Sequence, residues 1–356
     1  MKCKILILIV FPIFVIFSCT EDYGSLPEIN SMTFVVNGCI TDEDGPYRIQ
    51  LFEDVVKGHK VESLPVLDAR LTITDHLGNC DELKPLWKEQ IVIVEVDSEK
   101  GYFYNLYYLL MPKYDGSYDS LLLNFNNAVE FHGIYYTTST VGKPNGIYTL
   151  DISHKSQFFS ATDKMPFPSV LDSVVLRNDG KHIDGKETDT FDVPYLYFKK
   201  PEHLENYFLL THKKYNWHPM WGVPIPQTAK FEDVLLKSSQ RPWNTWNYDV
   251  VSDRFMSSYV SGFKLTGATS SPLISGTDEG FLEGIDSWTF ADFYLVSVSR
   301  QVSLYYQALS DQFYQDGGTF SPAPSTPPTN LSNGAQGFFM AASVDKKRVV
   351  RERYQR

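Results

Sequence analysis

The residue with the clearest chemistry in this sequence is Cys19, whose thiol stands in the context of a lipid-attachment signal. Two lysines make the first residues positive, residues 5–17 form an apolar run, and Ser18 places a small residue directly before the cysteine. The run is shorter than the roughly 20 residues that a membrane-spanning helix needs. We therefore expect residues 1–18 to be a signal peptide that is removed, after which Cys19 carries a covalent lipid.

The lipid on Cys19 predicts that the protein is anchored to one leaflet of a bilayer. Two or three acyl chains hold a protein stably on a membrane, whereas a single chain holds it only marginally. Residues 19–30 would then be an acylated tether between the lipid and the folded chain. The alternative is an apolar helix that stays uncleaved as the anchor. Apart from the covalent lipid, we expect no cofactor.

Tryptophans form a second group of residues with binding chemistry. The sequence has six of them, and four fall in two short segments that are rich in Pro and Asn. Indole rings in loops offer a large contact area at little entropic cost, and they stack on sugars or apolar ligands. We predict that these four residues, Trp217, Trp221, Trp243 and Trp246, contact a ligand or a partner. The alternative is that they cap the core of the second half of the chain.

Two cysteines remain as thiols once Cys3 has left with the signal and Cys19 is acylated, namely Cys39 and Cys80. An even number of thiols in an oxidising compartment favours pairing, and a disulfide between these two would stabilise the fold by about 2–4 kcal/mol if the geometry permits. The alternative is a pair of buried thiols that behave as small apolar side chains.

No residue pattern in the sequence predicts catalysis or a bound metal. The histidines are scattered and make no His-x-x-x-His or Glu-x-x-His pair. An acidic, glycine-bearing segment at residues 275–286 could offer oxygen ligands to Ca²⁺, but it lacks the spacing of known calcium loops. Nucleophile elbows, phosphate loops and dinucleotide motifs are also missing, so we expect no enzyme. The scattered histidines are His132, His154, His182, His203, His212 and His218.

The charge of the chain argues against nucleic acid as a partner. The formal net charge is −11, and losing Lys2 and Lys4 with the signal takes it to −13. Such a surface repels phosphate backbones. Residues 347–356 are basic, and we interpret them as a solvated tail.

These residues must be positioned by a fold that we expect to be mainly β. Aromatic residues make up 15% of the chain, and short β-branched runs are separated by Gly and Pro, which is typical of strands and turns. One segment, residues 299–314, has apolar residues at helical spacing and predicts an amphipathic helix. Strands are predicted at residues 32–40, 47–52, 69–74, 146–152, 174–176, 195–198 and 337–344.

The domain organisation follows from the prolines near the middle of the chain. Pro166 and Pro168 remove backbone donors and fix φ, so the chain must run extended there. The segment at 177–190 is polar and is expected to be a long hairpin loop. We divide the mature chain into an N-terminal β-sandwich domain at 31–165, a Pro-rich linker at 166–173, a second β-rich domain with the helix at 174–346, and the basic tail at 347–356.

Short motifs along nearly the whole mature chain resemble one family. Cys19 is followed by the acidic residues Glu21 and Asp22, a pattern similar to the export signal of Bacteroidota surface lipoproteins; an ordinary solvated linker is the alternative. The chain resembles the Bacteroidota lipoproteins catalogued as domain of unknown function 4249. The remaining motifs are Val35-Val-Asn-Gly38, Ile40-Thr-Asp42, Gly45-Pro-Tyr47, residues 69–75, Gly78-Asn79, Tyr148-Thr-Leu150, Met165-Pro166, Leu171-Asp-Ser173, Tyr305-Tyr306, Gly317-Gly-Thr-Phe320, Pro327-Pro328 and Asn330-Leu-Ser-Asn-Gly334.

The resemblance implies a fold, a location and a partner, but no catalytic residue. It implies an immunoglobulin-like or carboxypeptidase-regulatory-like N-terminal sandwich. It also implies an outer-membrane lipoprotein, exposed at the cell surface, that assists a TonB-dependent transporter in nutrient capture or gating. Cys39 and the Trp-rich stretch at 215–248 depart from the family pattern, which bears on ligand preference. The alternative function is a glycan-binding adhesin or a stand-alone surface hydrolase, which the tryptophans motivate.

Overall fold

The computed structural model describes residues 31–57, 60–86, 91–97, 103–123, 133–184, 187–217, 248–265, 288–314 and 326–352. Within these ranges the chain forms 19 strands and one helix, so the predicted mainly β fold is confirmed. None of the helical residues described here makes a segment long and apolar enough to cross a bilayer.

The largest sheet runs through both halves of the molecule. Its strands are β1 (Ser31–Thr41), β2 (Arg48–Lys57), β3 (Lys60–Pro65), β6 (Lys84–Pro85), β10 (Ile134–Tyr136), β15 (Tyr207–Trp217), β16 (Asp249–Ser252), β18 (Trp288–Val298) and β19 (Gln336–Glu352). They lie in the order β16-β15-β18-β19-β1-β2-β10-β6, and β3 also pairs with β2. Two smaller sheets pack on this large sheet and form a second layer over it.

A four-stranded sheet packs on the N-terminal half of the large sheet. It contains β4 (Arg70–Asp75), β5 (Cys80–Glu82), β11 (Ile147–His154) and β12 (Gln157–Lys164), in the order β12-β11-β4-β5. In β11, Tyr148, Leu150 and Ile152 are buried while the residues between them are not, because side chains alternate across a strand. They form one core with residues of the large sheet such as Val36 and Leu51. The predicted N-terminal sandwich is therefore present.

A three-stranded sheet covers the C-terminal half of the large sheet. It contains β13 (Val170–Asp184), β14 (Glu187–Lys199) and β17 (Tyr259–Lys264), with β14 in the centre. Leu196 and Phe198 of β14 are fully buried against Phe208 and Phe293 of the large sheet. A further antiparallel sheet is formed by β7 (Ile91–Asp97), β8 (Phe103–Pro112) and β9 (Tyr118–Leu123).

The helix α1 (Arg300–Tyr314) lies where the sequence predicts it and packs on the large sheet. Ser299 precedes it, and its hydroxyl accepts a hydrogen bond from the Val302 N–H at 3.3 Å, which is the geometry of a helix N-cap. Val302 and Tyr306 are buried against Phe338. The amphipathic stripe therefore faces the core, as expected.

Strand β19 joins the two halves. Its residues Gln336–Ala342 pair in parallel with β1, and Ser343 to Glu352 pair antiparallel with β18. Phe339 points into the N-terminal core, whereas Phe338 and Met340 point toward α1. One strand thus supplies side chains to both regions.

Two segments extend further as strands than the sequence predicts. Residues 347–352, expected to be part of a basic tail, continue β19, because Arg348 pairs across the sheet with the buried Asp292 at 2.7 Å. Most of the predicted loop at 177–190 belongs to the β13–β14 hairpin, since ladder hydrogen bonds are made by the backbone whatever the polarity of the side chains. β13 also begins inside the predicted linker, at Val170.

Candidate functional site

Most of the predicted contact residues lie outside the described ranges. Trp217 is the last residue of β15, and its side chain is not described. Trp221, Trp243 and Trp246, the acidic segment at 275–286 and the lipidation residue Cys19 are not among the described residues. The tryptophan patch and the lipid anchor therefore stay predictions.

Cys39 and Cys80 lie in different parts of the fold and both keep their thiols. Cys39 is 3% exposed and packs with the residues under α1, such as Tyr306. It points away from the four-stranded sheet because its neighbour Ile40 points toward that sheet. Cys80 is exposed at the start of β5, in the four-stranded sheet. The structure does not join them by a disulfide.

Two of the described histidines, His154 and His212, contact other side chains of the fold. His154 is 2% exposed and lies between two carboxylates, with its Nε2 at 3.0 Å from Glu53 and its Nδ1 at 3.3 Å from Asp68. The ring of His212 stacks on Phe293. Among the described residues, no group of three or more His, Cys, Asp and Glu side chains is arranged to hold a metal ion.

Buried carboxylates hold loops and strands in place. Asp81 is 5% exposed and accepts hydrogen bonds from the backbone N–H groups of residues 138–140. Burial opposes its ionisation, but the hydrogen bonds from Thr138, Ser139 and Thr140 outweigh burial and lower the pKa of Asp81. Asp163 differs, because burial dominates and raises its pKa from 3.8 to about 6. Its carboxylate accepts the Ala341 N–H of β19 at 2.8 Å.

A third buried carboxylate, that of Asp253, fixes two loops side by side. Asp253 accepts hydrogen bonds from Lys200 at 2.7 Å and from the side chain and backbone of Asn206. The pKa of Asp253 is lowered, since these bonds offset its burial. The loops carry Leu204, which is 49% exposed, and Phe255, which is 94% exposed.

The outer side of the three-stranded sheet combines half-buried and exposed aromatic rings with exposed charges. Side chains alternate along β14, and Leu196 and Phe198 point inward. The alternate positions, Tyr195, Tyr197 and Lys199, therefore point outward. Register partners lie on the same side of a sheet, which adds Tyr259 opposite Lys199 and Lys264 opposite Tyr195. We name this surface the tyrosine face; it consists of Tyr195, Tyr197, Tyr259, Arg177, Lys199, Lys264, Asp172 and Gly262.

Arg177 is held flat on the tyrosine face by two contacts. Its guanidinium carbon lies 4.4 Å from the centroid of the Tyr195 ring, and its Nη2 donates a hydrogen bond to the Tyr197 hydroxyl at 2.6 Å. Stacking on an aromatic ring and a directed hydrogen bond together restrict a side chain that is otherwise long and mobile. Arg177 is nevertheless exposed.

Gly262 lets the backbone of β17 lie close to the two central rings. The ladder between β14 and β17 shifts register there, and Gly262 has a φ of +75°. A Cβ at this position would lie 3.3 Å from the Tyr197 hydroxyl and 3.8 Å from the Tyr195 ring. A glycine is therefore favoured both by the left-handed backbone and by the close ring edges.

Tyr259 extends the face toward β13. Its hydroxyl bonds to the Asp172 carboxylate, and the pKa of Tyr259 is raised by partial burial and by that negative charge. Tyr259 itself is 45% exposed. The face thus offers ring surfaces, one oriented guanidinium and two further cations, which suits binding rather than bond cleavage.

A family model described as a domain of unknown function, DUF4249, matches residues 24–348. The chain belongs to this family. The DUF4249 match begins within the predicted tether and ends inside β19, so it includes all three buried cores and the tyrosine face. No curated protein and no solved structure matches the chain.

Sequence reasoning missed the tyrosine face. The sequence predicts a strand at Tyr195-Leu-Tyr-Phe198. Aromatic and aliphatic residues follow one another there, so no apolar–polar alternation shows which side of the strand faces outward. The polar residue Lys199 two positions after Tyr197 was the signal that could have marked the outer side.

Proposed function

We propose that this protein is a non-catalytic, surface-exposed outer-membrane lipoprotein that assists a TonB-dependent transporter in nutrient capture or gating. The proposal places it in the Bacteroidota envelope, anchored through an acylated Cys19. Membership of the DUF4249 family is compatible with this role and names no activity of its own.

The observation that carries the binding role is the tyrosine face. Its half-buried and exposed rings and its oriented guanidinium are groups that can hold a ligand. The buried carboxylates of Asp81 and Asp253, in contrast, are engaged in the fold: Asp81 holds a loop, and Asp253 holds two loops together. Rigid strands below the face keep its side chains in place, which lowers the entropic cost of binding.

The location is tested by metabolic labelling with a clickable palmitate analogue. We expect the mature chain to be labelled and a Cys19→Ser variant to be unlabelled and retained as the precursor. An unlabelled wild-type chain would overturn the lipoprotein assignment.

The transporter role is tested by a pull-down in gentle detergent with an affinity tag at the end of the full chain. We expect a large outer-membrane β-barrel to copurify with the wild-type protein. Absence of any such barrel, together with tight retention of a glycan, would favour the stand-alone adhesin instead.

A further inference from the structure

We propose that the tyrosine face is a binding site for an acidic saccharide, in which Arg177 binds the acidic group and the tyrosine rings contact the sugar rings. The inference rests on the proposed nutrient-binding function and names the class of ligand. It is carried by the contacts of the face itself.

Arg177 is prepared to bind an oxyanion. Its guanidinium has five N–H donors in a planar fork that matches the two oxygens of a carboxylate or a sulfate. Stacking on Tyr195 and the bond to Tyr197 fix the plane of the fork before any ligand arrives. Because this ordering is already complete, less conformational entropy is lost when an anion binds.

The charges of the face favour an anion over a neutral sugar. Arg177, Lys199 and Lys264 are exposed on it, and the carboxylate of Asp172 is bonded to Tyr259. The chain as a whole has a net charge of −11. A cationic area on an acidic protein attracts anionic ligands to that area.

The position of the face in its sheet favours a saccharide over a peptide. Extended peptides bind to a sheet chiefly by adding a strand at its edge, where backbone groups are open. The central rings belong to β14, which is paired on both sides with β13 and β17. Binding over β14 must therefore use side chains, and flat tyrosine rings suit the C–H faces of sugar rings.

The test is calorimetric titration of the purified mature protein with oligogalacturonate and with a sulfated oligosaccharide, and with a neutral malto-oligosaccharide of equal length as the reference. We expect at least one of the acidic probes to bind more tightly than the neutral one. The two probes distinguish a carboxylate from a sulfate as the acidic group.

Arg177→Gln should weaken acidic-probe binding by about tenfold, since a charge-assisted hydrogen bond is lost. Arg177→Lys should recover only part of the affinity, because lysine keeps the charge but not the planar fork. The matched control is Arg254→Gln, which removes an arginine that also lies over an aromatic ring, 5.7 Å from Phe255, but outside the tyrosine face. This control should bind as the wild type does.

Equal binding of neutral and acidic sugars, or wild-type affinity in Arg177→Gln, would overturn the inference. So would tighter binding of poly-glutamate than of both acidic saccharides, which would indicate an acidic protein partner. Tyr197→Phe keeps the ring and removes the hydroxyl that holds Arg177, and it should weaken binding even if Arg177→Gln fails to fold. The titration needs no transporter, so a failed barrel pull-down and a failed titration are distinguishable.

Discussion

In the N-terminal sandwich, Asp81, His154 and Asp163 are each at most 5% exposed, and each bonds to a different strand or loop. On the tyrosine face, Arg177 and Tyr259 are exposed and bond to their neighbours on the same sheet. Charged groups therefore connect layers in the first region and orient one another toward solvent in the second. The comparison predicts that substitutions in the first region change folding stability, whereas those in the second change recognition.

The largest effect is expected at the strand that the two regions share. Phe339 of β19 is fully buried in the N-terminal core. Phe339→Ala should lower the free energy of unfolding by about 3–5 kcal/mol, through lost apolar burial and the cavity left behind. Urea unfolding of the purified protein measures this loss. Phe158→Ala, at a position that is 51% exposed, is the control and should change stability little; similar losses in both variants would contradict the prediction.

Asp81 is the next test of the sandwich. Asp81→Ala leaves the backbone N–H groups of Ser139 and Thr140 without their acceptor and should cost about 2–4 kcal/mol. Glu82→Ala is the neighbouring control, because Glu82 pairs with Arg70 on an exposed surface and such pairs contribute at most about 1 kcal/mol. Thermal unfolding at neutral pH should give a clearly lower melting temperature for Asp81→Ala than for Glu82→Ala. Equal melting temperatures would count against a structural role for Asp81.

Asp163 should give the sandwich a pH dependence of known sign. Its pKa is about 6 in the folded chain and 3.8 without the fold, so between these values the folded state holds a proton that the unfolded state has released. The contribution of Asp163 to stability is therefore full below about pH 4 and falls as the pH rises to about 6.

Asp163→Asn should remove this dependence and raise stability at pH 7 by about 2 kcal/mol. The measurement is the difference in unfolding free energy between variant and wild type from pH 4 to 7. A difference that stays constant over this range would show that Asp163 does not titrate there.

The smallest effects on stability are expected on the tyrosine face. Arg177→Gln and Tyr197→Phe change exposed or half-buried side chains, and each should alter the free energy of unfolding by no more than about 0.5 kcal/mol. Urea unfolding beside the Asp81 variants gives the direct comparison. A loss above about 2 kcal/mol would mean that the face belongs to the core and not to a binding surface.

Local patterns predicted many elements of the fold because they depend on neighbouring residues. Alternation in residues 146–152 and helical spacing in 299–314 correspond to β11 and α1. The partner of each strand depends on distant residues, and nothing near Val35 indicates that it pairs with Gln336. The extension of β19 was also missed, because the pairing of Arg348 with Asp292 becomes visible only across the sheet.

The candidate site was less predictable than the fold. Arg177, Tyr195 and Gly262 are far apart in sequence, and only the hairpin of β13 and β14 with the addition of β17 brings them together. Tryptophans are rare and clustered in this sequence, whereas tyrosines are frequent, with 22 in total. Composition cannot distinguish a tyrosine in the core from one on a binding surface.

The pairing of β1 with β19 also has a consequence for biosynthesis. The first seven residues of β19 are the parallel partner of β1, and Phe339 and Ala341 complete the N-terminal core. During synthesis, β1 emerges roughly three hundred residues before this partner, and contacts so distant in sequence form slowly. A premature stop codon ahead of Gln336 would therefore remove part of the N-terminal core as well as the last strand. The unfinished chain would leave apolar strands unpaired and prone to aggregate.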